Sequence, residues 1–331
     1  MLVSAFLSSS SPRFIAPERA NPEPIRSTTS DPKGSSTAYG SPMTASPGSP
    51  AKPVLVTGAS GNVGAPLVEQ LTAGHHQVIA ASPQQQEITA GVRRLDFEDP
   101  TSFASALDGI GSVFLMRPPQ ISDTKRFIRP FITAMAEAHV EHVVFLSLMG
   151  VNRAMPHWQV EQDLKSSGLA WTMLRPSFFS QNLGGAYRAD IRDHDRIRLA
   201  SGRGRTSFID TRDIAEVAAR ILTEPSEHRG QAYTLSGPAA VDYHQVASML
   251  SAALGRPITY EPIGLLRYRR ELTAQQLPSA FVNVQLLINV IARVGLAAKV
   301  DPTLPHLLKR PARTLHDYIH DHTDLWRRAE T

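Results

Sequence analysis

The residues best placed to do chemistry in this sequence are Gly58-Ala59-Ser60-Gly61-Asn62-Val63-Gly64. Glycines at this spacing suit the capture of a diphosphate. Gly58 permits a tight turn, Gly61 lets the backbone approach the anion, and Gly64 allows a helix to pack closely on a strand. Unpaired N–H groups at the helix start, together with the helix dipole, attract the negative charge. A glycine triplet alone also serves as a plain structural turn. Its surroundings select the ligand-binding reading: the apolar run Pro53 to Thr57 precedes it, and Val63, Leu67, Val68 and Leu71 follow at helical spacing. Thr57, Gly58, Ser60, Gly61, Asn62 and Val63 are therefore candidates for holding a dinucleotide.

Elements that would position such a turn follow in alternation. Strands are expected near 77–81, 92–95, 112–116, 143–147, 170–175 and 232–235, with helices near 100–108, 123–138, 157–167 and 211–223. In the last of these helices Ile214, Val217, Ala218, Ile221 and Leu222 share one face, with Thr211 as the expected N-cap. Helical patterns at 242–254, 264–275, 280–295 and 313–323 close the chain. The expected class is α/β: a Rossmann-like doubly wound parallel sheet with a smaller, mostly helical C-terminal substrate region. The dinucleotide domain would span 51–236, with 183–205 contributing to the substrate side, and 237–331 would form the lid.

Composition narrows the alternatives. The chain has 331 residues, 42% of them hydrophobic, enough for a substantial core. It has no cysteine, which excludes disulfides, cysteine-ligated metals and a thiol nucleophile. This fits a reducing, cytoplasmic location. Net charge is +4, without a run of like charges, so no nucleic-acid partner is expected. The six arginines from Arg188 to Arg205 are interleaved with Asp190, Asp193 and Asp195 and read as a solvated face or lid. His316, His320 and His322, with Asp317 and Asp321, have metal-like spacing but sit on an exposed helical pattern without the flanking Glu of a zinc protease, so no metal is expected. No apolar run reaches about 18 residues, so no membrane span is expected. Residues 1–50 hold 12 Ser and 8 Pro and read as a disordered tail, with Met43 as an alternative start.

Several segments carry a family resemblance: the GxxGxxG turn, Val143-Val144-Phe145-Leu146-Ser147, Leu174-Arg175-Pro176-Ser177-Phe178-Phe179-Ser180-Gln181-Asn182, and Phe208-Ile209-Asp210-Thr211-Arg212-Asp213-Ile214-Ala215. With these the chain resembles the NmrA-like atypical short-chain dehydrogenases/reductases. Within that branch it is most similar to bacterial relatives of the ergot-alkaloid (agroclavine/festuclavine) dehydrogenases. The resemblance implies a nicotinamide cofactor and a small-molecule substrate. It places Asp96 and Phe97 at the adenine, Met116, Arg117 and Pro118 at the nicotinamide ribose, and Pro176 at the carboxamide. Arg117 pairing with Asp123 at the surface is the plainer alternative. The second strand runs Val78 to Ser82 and on to Gln84, without the carboxylate that an NAD ribose prefers and without an Arg or Lys for a 2′-phosphate. Ser82 and Gln84 are the remaining hydrogen-bonding candidates. The missing acid favours NADP(H) over NAD(H).

The chain departs from the wider family at the proton relay. No Tyr is followed four residues later by Lys, and alignment puts Arg153 and His157 at those two positions. One consequence is a reductase whose acceptor needs no tyrosine acid: a polarised C=N, a C=C or a quinone. Ser147 would then bond the developing anion, His157 would supply a proton, and Glu161, one turn away, would orient His157. Met149, Trp158, Phe178, Phe179 and Asn182 would line the acceptor pocket. The other consequence is a non-catalytic NAD(P) sensor that reports redox state to a partner.

Overall fold

The computed structural model describes residues 52–85, 91–277 and 279–328. The expected tail over 1–50 and the start at Met43 lie outside the described residues. In chain order the first six strands are Val54–Val56 (β1), Val78–Ser82 (β2), Val92–Arg94 (β3), Ser112–Met116 (β4), His142–Leu146 (β5) and Trp171–Pro176 (β6). Phe178–Phe179 (β7), Arg196–Leu199 (β8), Arg205–Ile209 (β9), Gln231–Leu235 (β10), Ala240–Asp242 (β11) and Thr259–Pro262 (β12) follow. Seven strands form one sheet in the order β10-β6-β5-β4-β1-β2-β3, with every pairing parallel. All six expected strands are among them.

A parallel sheet covered on both faces needs apolar residues on both sides of each strand. Val56, Phe114, Val144, Leu146 and Leu174 face one core with helices Gly64–Ala73 (α1) and Thr211–Thr223 (α7). Their neighbours Leu55, Val113, Leu115, Val143, Phe145 and Met173 face the other. That second core takes in Phe103–Leu107 (α2), Arg129–Glu137 (α4) and Pro156–Ser166 (α5). Strand order reverses at β1, between β2 and β4, which opens a crevice at the strands' carboxyl ends.

Two local expectations change. The helix expected over 123–138 is two helices, Thr124–Phe127 (α3) and α4, because Pro130 lacks an N–H and sits in the first turn of the second. The cap of α7 is Asp210, not Thr211: its carboxylate accepts the Arg212 N–H at 2.9 Å.

Arg188–His194 (α6) lies within the 183–205 segment, and the region 237–331 is helical as expected, with Tyr243–Leu254 (α8), Leu265–Ala274 (α9) and Ser279–Arg293 (α10) prominent. It also contains a β11-β9-β7 sheet and a parallel β12-β8 pair. Ile197 and Leu199 of β8 are buried while Arg196 and Arg198 are only half-buried. This period of two is present in the sequence, hidden within the arginine-rich stretch. Among the described residues no single helix is long and apolar enough to cross a membrane, and no three His, Asp or Glu side chains gather to hold a metal.

Candidate cofactor and acceptor site

The glycine turn sits at the crevice, between the end of β1 and the start of α1. Gly58 has φ +64°, a left-handed conformation that favours glycine. Gly61 N–H closes the turn on the Gly58 carbonyl at 2.9 Å. A Cβ at Gly64 would overlap the Gly58 carbonyl and lie 2.8 Å from Ala59 Cα, so only glycine lets α1 approach the turn this closely. A Cβ at Gly61 would lie 3.2 Å from the Gly58 oxygen, leaving a shallow cradle for an anion. Ser60 is exposed and Asn62 half-buried at its edge. Val63 is buried in the core, so only its backbone can face a ligand. The Thr57 hydroxyl accepts the Met116 N–H at 2.7 Å and donates to the Phe114 carbonyl at 3.0 Å. It ties β1 to β4.

At the end of β2, Ser82 donates to Gln84 Oε1 at 3.2 Å. The parallel register places Arg94 of β3 directly beside Ser82. Sequence reasoning missed this arginine, because the search for a cation stayed on β2; an arginine pair ending the next strand was the available signal. Arg94 also reaches Asp99 at 2.7 Å. Asp96 is half-buried and its Oδ1 accepts the Glu98 N–H at 2.9 Å, forming a turn. Phe97 is a correction: its ring is buried edge-on against Phe131, with centroids 5.3 Å apart, so it serves the core.

After β4, the Met116 side chain packs over Gly58, and Pro118 is half-buried. Arg117 neither reaches Asp123 nor points outward. It is buried and folds back on its own loop, donating to the Pro118 carbonyl at 2.9 Å and to the Ile121 carbonyl. Burial pushes its guanidinium pKa down to about 10.

His157, in the first turn of α5, is buried against Phe145. Burial, and then the nearby Arg117 charge, hold its imidazole well below the ordinary histidine range. A neutral imidazole at neutral pH is a poor proton source, which corrects the role expected for it. His142, at the start of β5, is likewise pushed down to about 4 by burial and the nearby Arg229 and His228. Both groups bind protons more weakly folded than unfolded. The stability they contribute is fully present above an unfolded pKa of about 6.5 and is lost as pH falls through the folded values. His142 alone should cost on the order of 2 kcal/mol by pH 5. We expect the urea midpoint to fall between pH 7.5 and pH 5, and His142→Gln to flatten that dependence. An unchanged slope in the variant would contradict the assignment.

Glu161 does not orient His157. Its Oε1 accepts from the Ser147 hydroxyl at 2.7 Å and from Arg175 Nε at 2.9 Å, while its Oε2 accepts Arg175 Nη2 at 2.5 Å. Glu161 and Ser147 are buried, and Arg175 is partly so. This clamp joins α5 to the ends of β5 and β6, and the glutamate holds the arginine proton more tightly. The Ser147 proton is therefore directed at Glu161. Arg175 was named in the sequence only as part of a motif; its role depends on the register of β6 against β5.

Beyond the clamp, the Met149 N–H donates to the carbonyl of buried Pro176 at 2.9 Å, joining the two strand-end loops. Met149, Trp158 and Phe178 are half-buried. The guanidinium of exposed Arg153 lies 5.8 Å from the Trp158 ring centroid. Phe179 is buried in the sheet core, which removes it from the expected pocket lining. Asn182 is fully buried, with neither amide atom hydrogen-bonded among the described residues.

A family model described as NAD(P)H-binding matches residues 58–225. The chain is 32% identical over 281 residues to an NAD(P)H azoreductase of Xenophilus azovorans, covering 81% of this chain and 97% of that protein. It is 27% identical over 285 residues to agroclavine dehydrogenase of Claviceps fusiformis, covering 82% and 98% respectively. Among solved structures, the NADPH-dependent quinone oxidoreductase of Escherichia coli in complex with NADPH superposes with a TM-score of 0.72. That pair is 26% identical, over 82% of this chain and 99% of the other.

Proposed function

Because this chain belongs to the NAD(P)H-binding family, we propose that it is an NAD(P)H-dependent oxidoreductase acting on a conjugated, charge-delocalising acceptor: a quinone, an iminium or an activated C=C. The glycine cradle fits a diphosphate, since a side chain at Gly61 would fill it and one at Gly64 would break it. A bound nicotinamide supplies the hydride.

The observation that carries the acceptor class is the lack of an available acid at the β5–α5 junction. Ser147 is directed at Glu161, and His157 is buried and neutral. An acceptor that spreads the incoming charge, or starts positive, needs only to be held against the hydride donor. Met149, Trp158 and Phe178, half-buried at the strand ends, supply the apolar contacts. The test is NADPH consumption with a quinone, an enone, an iminium and a simple aliphatic ketone. Turnover of a conjugated acceptor without turnover of the ketone is expected. Comparable turnover of the ketone would overturn the acceptor class, and binding without consumption of NADPH by any of the four would favour a redox sensor.

NADPH is the preferred cofactor in this reading, because Arg94 beside Ser82 offers a cation for the 2′-phosphate. Arg94→Ala is expected to weaken NADPH binding about tenfold, near 1.4 kcal/mol, while leaving NADH within a factor of about two. Fluorescence titration of both cofactors measures it, and an equal loss for both would remove Arg94 from the 2′-phosphate.

A further inference from the structure

The six arginines between Arg188 and Arg205 divide into two groups once the chain is folded. Arg192 pairs with Asp193 at 2.7 Å, Arg196 with Asp190 at 3.8 Å and Arg198 with Glu271 at 2.9 Å. Arg188 donates to the Leu325 carbonyl at 2.7 Å. Arg203 and Arg205 form no ion pair among the described residues, and neither does Arg293 at the end of α10. These three meet around an open surface concavity of about 570 Å³, lined by the Gly202–Arg205 turn, the Arg293–Gly295 segment and Ala298. None of the lining residues is acidic, and the carboxylate that stands opposite Arg205 in the β11–β9 register, Asp242, caps α8 by accepting the Gln245 N–H at 2.9 Å.

The backbone is shaped to bring them together. Gly202 and Gly295 have φ +58° and +81°. A Cβ at Gly204 would overlap the Ala292 carbonyl and lie 2.7 Å from Arg293 N, so glycine seats the turn against the end of α10. Arg205 donates one guanidinium N–H to the Ala240 carbonyl, and Arg293 donates one to the Ala200 carbonyl at 3.3 Å. These bonds hold two of the guanidinium groups against backbone carbonyls, and Arg203, Arg205 and Arg293 are all exposed. Three like charges around one concavity repel each other unless an anion joins them, and the planar guanidinium fork matches phosphate oxygens. The volume suits a small-molecule ligand and exceeds what a chloride would need.

We propose that this concavity binds a polyanionic small molecule bearing a phosphate or diphosphate group, at a site that shares no residue with the Gly58–Gly64 turn. The test is calorimetric titration of inorganic pyrophosphate into the full chain, saturated with NADPH and held at fixed ionic strength. One saturable site is expected. Arg203→Gln/Arg293→Gln should weaken it at least tenfold and leave NADPH affinity within a factor of two. If the double variant does not fold, Arg203→Glu alone replaces an exposed, carboxylate-free arginine and should give the same loss. Absence of a saturable site in the natural sequence would overturn the proposal, as would unchanged pyrophosphate affinity in a folded variant.

Discussion

Gly61→Asp is expected to raise the dissociation constant for NADPH by about 100-fold or more, equivalent to roughly 2.7 kcal/mol, with little change in melting temperature. The Gly61 Cβ position is tight but not blocked, since its nearest neighbour is the Gly58 oxygen at 3.2 Å and the next is the Met116 methyl at 3.6 Å. The fold can therefore accept a side chain there by a shift of a few tenths of an ångström. A diphosphate cannot: the carboxylate fills the cradle and adds a negative charge where two already gather. Gly64→Ala is the informative contrast. Its Cβ would meet the backbone of Gly58 and Ala59, which cannot rotate away, so the start of α1 must separate from β1. That variant should lose both cofactor affinity and stability, by about 2–4 kcal/mol on the scale of overpacked cores with backbone shifts. Fluorescence titration combined with thermal unfolding separates the two outcomes. Wild-type NADPH affinity in Gly61→Asp would remove the turn from cofactor binding.

Glu161→Ala should destabilise the protein by about 3 kcal/mol, the lower end of what is seen when one partner of a buried ion pair is removed. The lower end applies because the Arg175 side chain is 27% exposed and water offsets part of its lost pairing. The deletion also leaves the fully buried Ser147 hydroxyl without its acceptor. Ser147→Ala should cost only about 1 kcal/mol, because Glu161 keeps its arginine. Glu161→Ala/Arg175→Met should recover part of the loss, since removing both charges leaves none stranded. Chemical unfolding at pH 7.5 gives all three values. A Glu161→Ala variant within about 0.5 kcal/mol of the natural sequence would show that the clamp does not support the strand ends.

The Ser147–Glu161–Arg175 clamp also shows where legibility ended. The i, i+4 spacing of His157 and Glu161 on α5 suggested a pair, and both side chains do lie on the buried face of that helix. The spacing carries no information about what else reaches that face. Arg175 brings two N–H donors and a full charge from β6, and Ser147 brings a hydroxyl from the end of β5. A charged bidentate donor satisfies a buried carboxylate better than a neutral imidazole does. His157, desolvated and beside Arg117, then has reason to stay neutral.

The features legible from residue types and spacing are those set by contiguous residues. The β1–turn–α1 unit is one stretch of chain, so its glycines, apolar strand and helical face could be read together. The core strands were equally legible, because burial on both faces demands near-continuous apolar runs. The tertiary structure alone decided which distant groups became neighbours. Parallel register set Arg94 beside Ser82, and burial turned Arg117 back onto its own carbonyls and Phe97 into the core. The packing of α10 against the Gly202–Arg205 turn set Arg203 and Arg205 beside Arg293, apart from the ion-paired arginines of the same stretch. Charge and hydrogen-bond partners are chosen by proximity and desolvation across the fold, and spacing along the chain specifies neither.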